Sequence, residues 1–109
     1  MTISLVDSLN LRIRRAIAEQ RLLELRYKGA VRLAEPHDYG VLDGTERLLV
    51  FQLQGPDSGK GAIGWRLLDV VKIESCAVTD QTFAGGRGES HQHYKWEPLY
   101  ARVTSQPAE

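Results

Sequence analysis

Covalent and electrostatic shortcuts to structure are scarce in this chain. Cys76 is the one cysteine, so no internal disulfide can form. Set among Ile73, Ala77 and Val78, it reads as a small core residue rather than a nucleophile, and a reducing compartment suits it. There is no net charge: 14 Lys and Arg stand against 14 Asp and Glu, so no global field recruits nucleic acid or acidic lipid. No apolar run approaches the roughly 20 residues of a membrane helix. The first residues also lack the basic and apolar stretches of a signal peptide. These absences together predict a cytoplasmic protein with no membrane partner. At 109 residues the chain makes one domain, with a modest core held without disulfide or metal.

Catalytic and metal constellations are missing too. His91 and His93 form an H-x-H pair with no Cys or Asp close by, and structural zinc needs four ligands. Gly59-Lys60-Gly61 lacks the glycine spacing and the hydroxyl residue of a phosphate-binding loop, and a strand rather than a helix follows it. Glu35, His37 and Asp38 lie beside Tyr39, but neighbours along an irregular segment do not make an acid–base pair. No catalytic residue, metal or cofactor is assigned. The function class that remains is a non-enzymatic binding or sensing module.

What is present is periodicity. Val6, Leu9, Ile13, Ala16 and Ile17 recur at helical spacing, with Thr2 or Ser4 placed to cap the helix. Arg12, Arg15 and Glu19 fall away from that stripe, and Arg15 and Glu19 are spaced to pair across one turn. From Leu22 the period becomes two. Leu23, Leu25 and Tyr27 share one face and Glu24, Arg26 and Lys28 the other; beyond Gly29, Val31 and Leu33 alternate with Arg32.

A three-residue turn, Lys28-Gly29-Ala30, keeps the apolar faces matched by setting Tyr27 opposite Val31 and Leu25 opposite Leu33. Arg26 and Arg32 then become cross-strand neighbours. Like charges so placed destabilise a sheet unless an anion, or a carboxylate such as Glu24 or Glu35, sits between them. The plainer alternative is two arginines splayed into water.

Pro36 has no N–H for a ladder, so the strand is predicted to end or reach an edge there, with residues 37–40 irregular. Asp43-Gly44 signals a turn. Residues 47–54, RLLVFQLQ, suit a central strand buried on both faces, and residues 55–64 a flexible loop. Residues 65–68 and 70–77 read as two short strands, or one bent strand interrupted near Asp69. Tyr94, Trp96, Leu99, Tyr100 and Val103 predict a short amphipathic C-terminal turn or helix from near Pro98 that docks aromatics on the body.

The order helix, L-x-L-x-Y, glycine turn, V-R-x-x-x-P, apolar strand, then W-R-x-L-x-V-V-K-I resembles the WYL domain of bacterial regulators. The matching residues are Leu23, Leu25, Tyr27, Arg32, Glu35 and Pro36, the strand from Arg47 to Phe51, then Arg66, Leu68, Val70, Lys72 and Ile73. The naming tripeptide is absent, Leu48-Leu49-Val50 standing near its place. Asp69 occupies a position often basic in the family, and a helix-turn-helix partner domain is missing.

The resemblance implies a mainly β (α+β) fold: an N-terminal helix over residues 3–20, a small five-stranded SH3/Sm-like barrel over 22–78, and a C-terminal docking segment over 79–103. The tail, 104–109, is predicted to be disordered. It also implies transcriptional regulation through a site for a nucleotide or nucleic-acid-type anion, formed by Arg32, Arg66 and Lys72 with Tyr27 beside them and Arg26 added by the hairpin register. That state would pass to a protein partner. Two rivals are a charge-driven nucleic-acid binder working through Arg12, Arg14 and Arg15, and an interaction module that homo-oligomerises or augments a partner's sheet.

Overall fold

A computed structural model describes residues 5–56, 62–87 and 94–104. The helical stripe becomes α1, Leu5–Glu19, which buries Ile13, Ala16 and Ile17. Its polar face carries the anticipated Arg15–Glu19 pair, Nε to Oε2, 3.0 Å. The proposed cap at Thr2 or Ser4, the Gly59-Lys60-Gly61 stretch, the His91/His93 pair and the tail beyond Thr104 lie outside the described residues.

Six antiparallel strands follow: β1 Arg21–Tyr27, β2 Ala30–Leu42, β3 Thr45–Gln54, β4 Gly64–Asp69, β5 Ile73–Thr82 and β6 Leu99–Arg102. A 3-10 turn, Val70–Lys72, separates β4 from β5, where the break near Asp69 was anticipated. The sheet runs β4-β3-β2-β1-β5, with β6 added on β2, and among the described residues it is not closed. The core gathers α1 and one face of the sheet, including Leu23, Leu25, Tyr27, Tyr39, Leu48, Val50, Leu68 and Cys76. Leu48, Leu49 and Val50 are all buried, as a central strand covered on both faces requires.

Pro36 does lie where β2 reaches an edge, between the end of its pairing with β1 and the start of its pairing with β6, but residues 37–40 are strand and not irregular. β2 does not stop at Pro36 but runs on through His37, Asp38, Tyr39 and Gly40. Pro36 pairs with Val50 and Asp38 with Leu49, so His37 is the extra residue of a bulge. Here β2 changes neighbours, since β1 pairs with it up to Ala34 and β6 takes the same edge from Asp38. A proline is tolerated because its missing N–H falls in the gap between those two partners. Two carbonyls of this stretch have partners: Glu35 O lies 2.9 Å from His37 Nδ1, and Val103 N, just past β6, donates to His37 O at 2.8 Å.

The edge freed by β1 still needs backbone partners. Residues 99–102 supply them as a strand, which corrects the predicted C-terminal helix and makes six strands among the described residues. The approach is close, because a Cβ on Gly40 would stand 2.4 Å from Pro98 O and 2.9 Å from Leu99 Cα.

The far face of β2, β3 and β4 is also covered. Glu35, Phe51 and Trp65 make one cross-strand row. Arg87 forks Glu35 at 2.6 and 2.9 Å and lies 4.0 Å from the Phe51 ring centroid. His37 is held edge-on to Trp65 and stacked on Phe83. Arg102, from β6, forks Asp38 at 3.0 and 3.3 Å.

Candidate anion site

The site begins at the β1–β2 turn. Lys28 and Gly29 both have positive φ, 52° and 75°, which is the two-residue shape that matches strand twist. The register is Tyr27 with Ala30, Arg26 with Val31, and Leu25 with Arg32. The predicted three-residue turn is therefore wrong, and Arg26 and Arg32 are not cross-strand neighbours. Turn geometry outranks apolar matching here. Val31 is left 55% exposed, and Arg32 turns to the face that carries Leu25 and Ala34. Arg26 instead reaches β5, its Nε 3.3 Å from Glu74 Oε1.

An arginine on a core-facing position must find acceptors. Arg32 Nη1 donates to Gln52 Oε1 at 3.0 Å, and Nη2 makes a long contact, 3.5 Å, to the Tyr27 carbonyl. Its guanidinium lies 5.4 Å from the Tyr27 ring centroid. Among the described residues, buried Nε has no hydrogen-bond partner and no carboxylate lies within salt-bridge distance of Arg32. Among the described residues its positive charge is thus held by neutral acceptors. Arg26, Arg47, Lys72, Arg87 and Arg102 each stand beside an acidic partner.

Gln52 is the residue that sequence reasoning missed. Fully buried, it spends its carbonyl on Arg32 and its amide on Ala62 O, 2.8 Å. The available signal was a polar residue in line with Leu48 and Val50, on the inward side of the apolar 47–54 run.

The register also places Arg66. Ala34, Gln52 and Gly64 form one row, and Val50 with Arg66 the next, so Arg66 shares a sheet face with Arg32. Arg66 Nη1 donates to the Trp65 carbonyl at 2.9 Å and would lie 3.4 Å from a Cβ on Gly64, so the guanidinium folds back over that glycine. Tyr27 is 6% exposed and belongs to the core. Its hydroxyl accepts from Asp69 N at 3.1 Å, tying β1 to the end of β4, and Arg32 and Lys28 lie against its ring. It supports the guanidinium and offers no open ring to a base.

Lys72 Nζ is 3.4 Å from Asp69 Oδ2, and Asp69 also takes Arg47 at 3.1 Å. Of the five predicted residues, then, Tyr27 and Arg32 touch and Arg66 shares their sheet face, while Arg26 and Lys72 are committed to acidic neighbours. On α1, Arg12 donates to Cys76 O, Arg14 to Asn10 Oδ1 and Arg15 to Glu19, so that basic face is bound to the protein itself. Glu35 serves Arg87 rather than the hairpin arginines, and its carboxylate raises the Arg87 pKa by stabilising the guanidinium. No helix among the described residues is long and apolar enough to cross a membrane.

No family model, curated protein or solved structure matches this chain.

Proposed function

We propose that this chain is a non-enzymatic, WYL-like ligand-sensing module that binds a phosphate-bearing anion, such as a nucleotide or an oligonucleotide end, and signals its state to a protein partner. Arg32 and Arg66 are the contacting residues, and Tyr27 and Gln52 hold Arg32 in place. The observation that carries this reading is the half-buried Arg32 guanidinium, which among the described residues meets neutral acceptors only. Removing a charge from water costs several kcal/mol unless a counter-charge and hydrogen bonds offset it. A phosphate would supply both, in a geometry that guanidinium forks match. An SH3/Sm-type barrel is part of the same proposal, supported by the strand order β4-β3-β2-β1-β5 with a 3-10 turn between the two end strands.

The test is thermal unfolding with ADP, pyrophosphate and a short oligonucleotide. We expect the melting temperature to rise with at least one of them, Arg32→Ala and Arg66→Ala each to abolish the rise, and Arg32→Lys to keep part of it. A shift that persists in Arg32→Ala, or no shift with any phosphate probe at millimolar concentration, rejects the site. A second reading, sheet augmentation by a partner or another copy, draws on the open sheet, whose end strands β4 and β5 each pair on one side only among the described residues.

A further inference from the structure

A cleft of about 240 Å³ opens between α1, the start of β3, the 3-10 turn and β5. Its walls are apolar, with Leu9 from the helix, Val70 from the turn and Ile73 from β5. Two opposite charges also line it. Arg12 is anchored at one wall by donating to the Cys76 carbonyl at 2.9 Å. Glu46 is anchored by accepting the Tyr39 hydroxyl. Neither has an ionic partner among the described residues, and the two do not pair with each other. Glu74, the third charged residue of the lining, is already engaged by Arg26 and by the Gly29 N–H.

We infer that this cleft binds a small zwitterion with an apolar body, of the class of a free aliphatic amino acid. Arg12 takes the carboxylate, through the guanidinium N–H groups that Cys76 does not use. Glu46 takes the ammonium. Leu9, Val70 and Ile73 cover the side chain. Size limits the ligand, because the volume falls just below the roughly 300–1,000 Å³ typical of drug-sized ligand sites. Charge limits it further: a simple acid forgoes the Glu46 contact, and a simple amine forgoes the fork that solvent-exposed Arg12 can offer. This site shares no residue with the Arg32 arrangement, and its test uses no phosphate, so either proposal can fail alone.

Calorimetric titration of the full chain with L-leucine, 4-methylpentanoate and isoamylamine tests the inference. These probes keep the same apolar body and present both charges, the negative one, or the positive one. Leucine should bind, with each singly charged analogue weaker by tenfold or more. Arg12→Gln should weaken leucine at least tenfold. Because Arg12 also holds a backbone carbonyl, Glu46→Gln is the second variant; it keeps an acceptor for Tyr39 and should give a similar loss. Absence of leucine binding at millimolar concentration, equal binding of leucine and either analogue, or unchanged binding in both variants overturns the proposal.

Discussion

The two halves of β2 obey different rules. From Ala30 to Leu33 exposure varies along the strand, and Val31 on the outer face faces water. From Ala34 to Gly40 every residue is buried, and that run includes Glu35, Pro36, His37 and Asp38. The early half is positioned by a turn, the late half by partners from far along the chain. Arg87 answers Glu35, and β6 brings Arg102 to Asp38 and backbone to the strand edge. A strand covered on one face can be specified by alternation alone. One covered on both faces needs a named partner for each polar group it buries.

The largest effect that separates the halves is expected at Arg102. Asp38 is fully buried, so Arg102→Ala leaves a carboxylate without its cation. We expect a loss of about 3 kcal/mol in urea unfolding. Arg15→Ala, which breaks a solvent-exposed pair, should cost no more than about 0.5 kcal/mol. If the two variants lose equal stability, water reaches Asp38 and the late half is not partner-dependent.

A smaller effect is expected at alkaline pH. Tyr39 sits in the late half, where burial first, then its hydrogen bond to Glu46, push its hydroxyl well above the ordinary value of 10. The unfolded chain therefore releases this proton first. The associated stability is complete below pH 10 and declines as pH rises beyond it. Cys76, raised by burial to about 11, adds a decline that starts nearer its ordinary value of 9. In Tyr39→Phe, unfolding midpoints followed from pH 8 to 11 should lose the Tyr39 part of the slope and keep the Cys76 part. An identical slope in both proteins would mean that Tyr39 is not held protonated by the fold.

The same contrast explains what was legible in the sequence. The α1 stripe, the double burial of Leu48–Val50 and the break at Asp69 rest on local pattern, and all three are present. The strand through Pro36 was invisible because the proline's missing N–H matters only against a known neighbour, and β2 changes neighbours there. Residues 99–102 looked helical from their aromatic spacing, yet an unpaired strand edge some sixty residues earlier decided their form. For the candidate site, Tyr27, Arg32 and Arg66 were visible as residue types. Their geometry was not, because a slip of one residue at the hairpin moves Arg32 from one face to the other.

That slip makes the turn the last and mildest place to probe. Gly29 has φ of 75°, and nothing lies within 4 Å of where its Cβ would stand, so Gly29→Ala adds backbone strain and no clash. The expected cost is about 1 kcal/mol, and Gly29→Asn should cost less because asparagine tolerates this region. The early half would then be held by conformation rather than contact, the converse of Asp38. Arg32 offers the sharper readout. While Lys28-Gly29 sets the register, Gly29→Ala leaves Arg32 beside Gln52, and a 15N-edited spectrum should still show the Gln52 side-chain amide in a protected, native-like position. If that signal collapses to the solvent-exposed value while the fold survives, the hairpin has slipped to the register that pairs Tyr27 with Val31. Apolar matching, not turn twist, would then be the stronger force in this hairpin.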